Sequence, residues 1–184
     1  MTINTLPSID LQDPESVRID PEARTLAFFC KKKPLQVDRK LILQLKEALI
    51  ERDVQAMRLC LHESPDAAFH EMIVLERKGN WHRPHRHPTK GESYHIIEGK
   101  LAAITFDNDG SVNSACVMEP NGSFMHRMEA DTYHTLITLS DLVIYCESKP
   151  GPFVRENNLI FADWAPDGEQ VADFIQNLQL QLEI

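Results

Sequence analysis

The pattern of apolar and polar positions divides the chain into two helical stretches around a long β-textured middle. Leu41, Leu45 and Leu49 recur every four residues, joined by Ile42 and Ala48. That spacing puts them on one face and predicts an amphipathic helix over 38–53, with Asp38 near its N-cap. From about residue 54 to 148 the period shortens. Short runs rich in β-branched and aromatic residues alternate with turn signals and predict strands at 72–77, 93–98, 101–107, 115–119, 135–139 and 142–147. Asn108, Asp109 and Gly110 form a hairpin signal, because these residue types tolerate positive φ. Asn121 and Gly122 mark a second turn. Many short antiparallel strands imply a sandwich or a small barrel. Over 168–184 the helical period returns, with Val171, Ile175, Leu178 and Leu182 on one stripe and Asp167 placed to cap it.

Residues 1–36 follow neither pattern and read as an accessory segment. Pro7, Pro14, Pro21 and Pro34 punctuate it, 25–30 reads as one strand, and Lys31, Lys32 and Lys33 read as a solvated turn. The length of 184 residues fits one domain with a sizeable core. A formal net charge of -9 argues against a broad nucleic-acid surface and against attraction to anionic lipid. No apolar run approaches a membrane span. The start of the chain is acidic (Asp10, Asp13, Glu15) and lacks a basic-then-apolar leader, which argues against a secretory signal. Cys30, Cys60, Cys116 and Cys146 are widely spaced with no C-x-x-C, as expected of free thiols in a reducing cytoplasm.

Chemistry concentrates in the middle of the chain. His85 and His87 stand at i and i+2, so on a strand they share a face, and Glu92 follows five residues later. Two imidazoles and a carboxylate converging from one face suit a divalent transition metal. The stretch 129–134 (Glu-Ala-Asp-Thr-Tyr-His) offers a third imidazole, His134.

With Gly79 and Gly99, these residues spell Gly79-x5-His85-x-His87-x4-Glu92-x6-Gly99. The pattern resembles the first motif of the cupin superfamily. The resemblance implies an all-β core, a single-domain double-stranded β-helix (jelly-roll barrel), here with flanking N- and C-terminal helices. Gly79 would permit the turn before the ligand strand. Residues 88–91 would bend the chain to bring Glu92 onto a neighbouring strand, and Gly99 would close a hairpin. The usual second motif, Pro-x-Gly-x-x-His, is altered: Asp131 takes the glycine position, which Asp tolerates because it visits left-handed backbone more readily than most residues. The resemblance implies a three-His, one-carboxylate site of His85, His87, Glu92 and His134 holding one divalent transition metal per chain (Fe, Zn, Mn or Ni). The alternative is a metal-free barrel in which these side chains hydrogen-bond one another.

Residues 37–166 are similar, more narrowly, to the WbuC-type cupin-fold metalloproteins. The likeness rests on 61–66 (Leu-His-Glu-Ser-Pro-Asp), 83–88 (Arg-Pro-His-Arg-His-Pro), 132–136 (Thr-Tyr-His-Thr-Leu) and 161–166 (Phe-Ala-Asp-Trp-Ala-Pro). Residues 1–36 and the final helix, 167–184, lie outside it. The family name comes from bacterial surface-polysaccharide gene clusters, so the resemblance implies a fold, a metal site and a hint of sugar chemistry.

Four further residues are candidates for contact with a small-molecule ligand. Arg83 shares strand parity with His85 and His87 and would suit a ligand carboxylate or phosphate, or else pair with a nearby acid. Tyr94 shares parity with Glu92, as a pocket donor or a core tyrosine with a satisfied hydroxyl. His62 is a possible general base or a structural histidine. Lys90 is a possible anion contact or a solvated turn lysine. His82 and His95 fall on the opposite parity and are left outside the site. Glu147 and Lys149 would close the cavity or pair with each other.

Three functional classes follow. The leading one is a metal-dependent cupin that binds or acts on a small polar molecule such as a sugar derivative, with an Fe(II)-dependent dioxygenase-type enzyme as an alternative. The others are a non-catalytic sensor and a structural dimer subunit. A homodimer is expected, with no nucleic-acid and no membrane partner.

Overall fold

The computed structural model describes residues 9–33, 35–154 and 159–184; Pro7 and Pro34 lie outside them. Helix α1 spans Arg39–Glu51, and the Asp38 side chain accepts the Leu41 N–H at 2.9 Å, satisfying one of the first-turn donors. The leucine stripe Leu41, Leu45 and Leu49 is the buried face of this helix.

Among the described residues, twelve strands form two sheets. They are β1 (Val17–Ile19), β2 (Leu26–Cys30), β3 (Ala56–Cys60), β4 (Phe69–Arg77), β5 (His85–Arg86), β6 (Glu92–Glu98), β7 (Leu101–Phe106), β8 (Val112–Met118), β9 (Met125–Met128), β10 (Tyr133–Thr138), β11 (Leu142–Pro150) and β12 (Ile160–Phe161). The larger sheet runs β1-β2-β3-β4-β11-β6-β9 and the smaller β12-β5-β10-β7-β8. Among the described strands, β2 and β3 are the one pair that runs parallel. Residues from the N-terminal segment therefore extend the larger sheet.

Period-two alternation sorts side chains between the inside and two outer faces. Inside, Phe29, Cys60, Met72, Val74, Tyr94, Ile96, Leu101, Met128, Leu136 and Tyr145 belong to one buried cluster. Outside the larger sheet, Phe28, Met57, Leu59, Ile73 and Leu75 pack with the leucines of α1. Outside the smaller sheet, Ala102, Ile104, Phe106 and Ile137 pack with Leu178 of α2 (Gln170–Leu182). Residues 108–110 turn between β7 and β8, with Gly110 at φ 90 and its N–H on the Asp107 carbonyl at 3.1 Å.

Three expectations are corrected. Asp167 does not cap α2; Glu169 holds that position, and its side chain makes no capping bond. Gly99 does not close a hairpin, because β6 and β7 belong to different sheets. It turns a corner at φ 82, where a Cβ would stand 2.4 Å from the Leu142 carbonyl oxygen, so glycine is required there. For the same reason 88–91 carries Glu92 across to the facing sheet and not to an adjacent strand.

Candidate metal centre

The first ligand strand is very short, and its neighbours fix it. His85 of β5 lies opposite His134 of β10 on one side and opposite Phe161 of β12 on the other. Asp131, just before β10, adopts φ 60, the left-handed turn its motif position requires. Its N–H donates to the His87 carbonyl at 2.8 Å, and its carboxylate pairs with Arg86 at 3.2 Å. The turn before β10 is thereby tied to the strand carrying the first two histidines.

His85, His87 and His134 converge: one nitrogen from each ring lies within 4.8 Å of the other two. His87 and His134 are buried, His85 half-buried. Nδ1–H of His85 donates to the Arg83 carbonyl and Nδ1–H of His134 to the Thr132 carbonyl, each at 2.8 Å. A carbonyl can only accept, so Nδ1 carries a proton in both rings, which leaves Nε2 as the atom each ring offers to a metal. Such backbone acceptors orient imidazoles toward a metal. Burial, reinforced by the neighbouring His134, pushes His85 down to about 3, so its ring is neutral at physiological pH.

Glu92 enters from the facing sheet. Its Oε1 lies 2.9 Å from His87 Nε2 and 2.8 Å from Lys149 Nζ; its Oε2 lies 3.5 Å from His134 Nε2 and accepts the Tyr94 hydroxyl. Burial opposes its charge, but Lys149 and the imidazoles outweigh burial and hold the carboxyl well below the usual range. Lys149 also reaches Glu147 at 2.6 Å. Burial works against the ammonium, yet its two carboxylate partners raise it above the ordinary lysine value.

The donors present fit a divalent cation. Three imidazole nitrogens and an ionised carboxylate are the right donor set. Nε2 of His134, buried, finds no hydrogen-bond partner among the described residues. A buried acceptor with no donor in reach is costly, and a cation would satisfy it.

The remaining candidates are placed as follows. The Arg83 guanidinium lies over the Phe161 ring at 5.1 Å, and that ring stands 6.3 Å from His85, so Arg83 is at the rim of the triad. Tyr94 is a buried tyrosine whose hydroxyl serves Glu92; burial and that carboxylate raise it well above the ordinary value. Lys90 donates to the Pro152 carbonyl. His62 stacks on His70 at 4.2 Å and accepts the Glu71 N–H at 3.2 Å, so it belongs to a separate imidazole pair. Burial pushes His62 down to about 4. His95 lies against Phe124, with the rings tilted at 49° and their centroids 5.5 Å apart.

Three residues stand differently from what the pattern offered. Lys149 pairs with Glu147, one of its two expected alternatives, and is also the direct partner of Glu92, which was not foreseen; its parity with Tyr145 on β11 is the signal that places it inside. His126 on β9 lies opposite Tyr94, with a buried Nε2 that lacks a partner among the described residues. His82, set aside on parity, reaches inward to Glu76, because 78–84 is irregular and strand parity does not govern it.

Comparison with known proteins gives a fold. A family model described as a domain of unknown function (DUF6016) matches residues 37–118. No curated protein matches the chain. A structure of the capsular polysaccharide assembling protein CapF from Staphylococcus aureus is similar over 72% of this chain and 35% of its own, at 15% identity and a TM-score of 0.51. The chain thus spans about a third of that protein. The Cnp3 cupin domain of Schizosaccharomyces pombe is similar over 53% of this chain and 65% of its own, at 14% identity and a TM-score of 0.42. A Klebsiella pneumoniae protein with a double-stranded beta-helix domain is similar over 59% of this chain and 80% of its own, at 11% identity and a TM-score of 0.45. The two-sheet topology, with a helix on the outer face of each sheet, is itself that of the cupin-type double-stranded β-helix.

Proposed function

We propose that this chain is a metal-dependent cupin in which His85, His87 and His134 hold one divalent transition metal, with Glu92 as an adjacent oxygen donor. The observation that carries the reading is the convergence of three imidazoles, two of them fixed by backbone carbonyls with Nε2 turned inward. A metal bound there supplies Lewis acidity and lowers the pKa of a coordinated water. The chain's own residues do the rest. Burial keeps His85 unprotonated and ready as a donor. Lys149 and Tyr94 keep Glu92 ionised and oriented.

The substrate class is a small polar molecule, a sugar derivative in the reading that the WbuC-type resemblance favours. Arg83 over Phe161 and Lys90 on the Pro152 carbonyl supply positive charge for an anionic substituent. The net charge of -9 favours such a ligand over nucleic acid or an anionic membrane. No helix among the described residues is long and apolar enough to cross a membrane. We place the working form as a cytoplasmic homodimer. Metal analysis of the purified protein, followed by turnover screens on nucleotide sugars and free sugars with the loaded protein, tests this function. Stoichiometric metal with turnover supports it. Ligand binding without turnover moves the chain to the sensor class, and absence of any metal uptake removes the reading.

A further inference from the structure

We infer that Lys149 is an internal competitor for the metal: its ammonium is held on Glu92, and the carboxylate joins a bound metal only by giving up that contact. The inference rests on the metal reading above and concerns how the site loads.

The argument starts from the acceptor positions of Glu92. Oε1 serves both His87 Nε2, at 2.9 Å, and Lys149 Nζ, at 2.8 Å. Oε2 takes the Tyr94 hydroxyl and lies 3.5 Å from His134 Nε2. Both oxygens are engaged in this arrangement. The ammonium is largely buried, at 15% side-chain exposure, so water screens it poorly. A divalent ion among the three imidazoles faces that ammonium across one carboxylate oxygen. Two cations on one oxygen repel each other, so the contact with Lys149 weakens as the metal contact forms.

Lys149 does not have to leave the barrel. Glu147, at 2.6 Å, holds it through the exchange. The pair of carboxylates flanking the ammonium allows a move from two partners to one without an unpaired buried charge. Lys149 is therefore a positioning residue. It keeps Glu92 ionised and aimed in the metal-free protein, and it sets metal affinity below what the donors alone would give.

The test is Zn2+ affinity by chelator competition in the full chain, with K149M, E92Q, their combination and H87A. K149M should bind Zn2+ about tenfold or more tightly than wild type. E92Q should cost about threefold or less in the wild-type background and about tenfold or more in the K149M background. An unchanged or weaker affinity in K149M, or an equal E92Q loss in both backgrounds, overturns the inference. If K149M does not fold, the wild-type protein labelled with 15N at lysine Nζ decides. Zn2+ should remove the hydrogen-bond coupling of the Lys149 ammonium to Glu92 and keep that to Glu147; persistence of the Glu92 coupling overturns it. Folded wild type that binds no Zn2+ removes the metal reading and this inference together, whereas Zn2+ binding lost only in H87A leaves the metal reading intact.

Discussion

Glu76 and Glu92 are both buried carboxylates in the same barrel, each with an imidazole and a tyrosine hydroxyl in reach, and their surroundings differ in what is left over. Glu76 is bonded by His82 Nε2 at 2.8 and 2.9 Å and by the Tyr145 hydroxyl at 3.1 Å. Burial opposes the charge on both partners, but their mutual attraction wins, lowering Glu76 and raising His82. The result is an ion pair whose bonds close on themselves. Around Glu92, two further imidazoles approach the same point, and His134 Nε2 remains without a hydrogen-bond partner among the described residues. A buried carboxylate beside a histidine is thus a structural pair when its bonds close. It marks a cation site when further imidazole nitrogens converge on it and one of them, here His134 Nε2, is left without a hydrogen-bond partner among the described residues.

The two clusters should separate cleanly under mutation. The largest effect is expected at the closed pair: His82→Ala leaves the buried Glu76 without its cationic partner, with only the neutral Tyr145 hydroxyl and Asn80 amide bonding it, and should cost about 3 kcal/mol in urea unfolding, with Zn2+ affinity within about threefold of wild type. His87→Ala should do the opposite, losing about a hundredfold or more in Zn2+ affinity, or about 2.7 kcal/mol, while the metal-free thermal midpoint moves little. Loss of metal in His82→Ala, or retention in His87→Ala, would reverse the assignment.

Acid should act on the clusters with opposite signs. The folded His85 value, about 3, lies below the ordinary 6.5. The unfolded chain therefore binds more protons between those values, and stability falls as pH drops through the window. At pH 5 this amounts to at most about 2 kcal/mol from His85. Glu92, also depressed, acts in the same direction, its contribution being lost as pH falls through its folded value. His82 is raised, so its contribution is fully present below 6.5 and is lost as pH rises through its folded value. Urea midpoints of the metal-free protein should fall from pH 7 to pH 5, and more steeply in His82→Ala than in wild type; a shallower fall in the variant contradicts the pairing. The smallest effect is expected at the tyrosines. Tyr145→Phe should destabilise by about 1 kcal/mol and Tyr94→Phe by less, because Glu92 keeps Lys149 and His87 as partners.

What the sequence revealed depended on how regular each element is. The Asp38 cap, the leucine face of α1 and the long strands β4, β6, β7 and β11 follow simple periods, whereas the ligand pair at 85 and 87 was found by its motif spacing, since β5 is only two residues long and ends at Arg86. Strands β9 and β12 are four and two residues long, too short for alternation to register. His126 therefore had no assignable direction. Lys149 was read only as closing the cavity or pairing with Glu147, and its contact with Glu92 was missed because β11 runs to Pro150, three residues beyond the predicted end at 147, and its inward parity extends with it. The Gly99 error came from reading a tight turn as a hairpin. In a two-sheet barrel the same turn also carries the chain between sheets, and only pairing across long sequence separations distinguishes the two.

The central claim is tested most directly by calorimetric titration of chelator-stripped protein with Zn2+. Saturation at one ion per chain, abolished in His87→Ala and preserved in His82→Ala, is the predicted result. A folded wild-type protein that shows no saturable binding would contradict it.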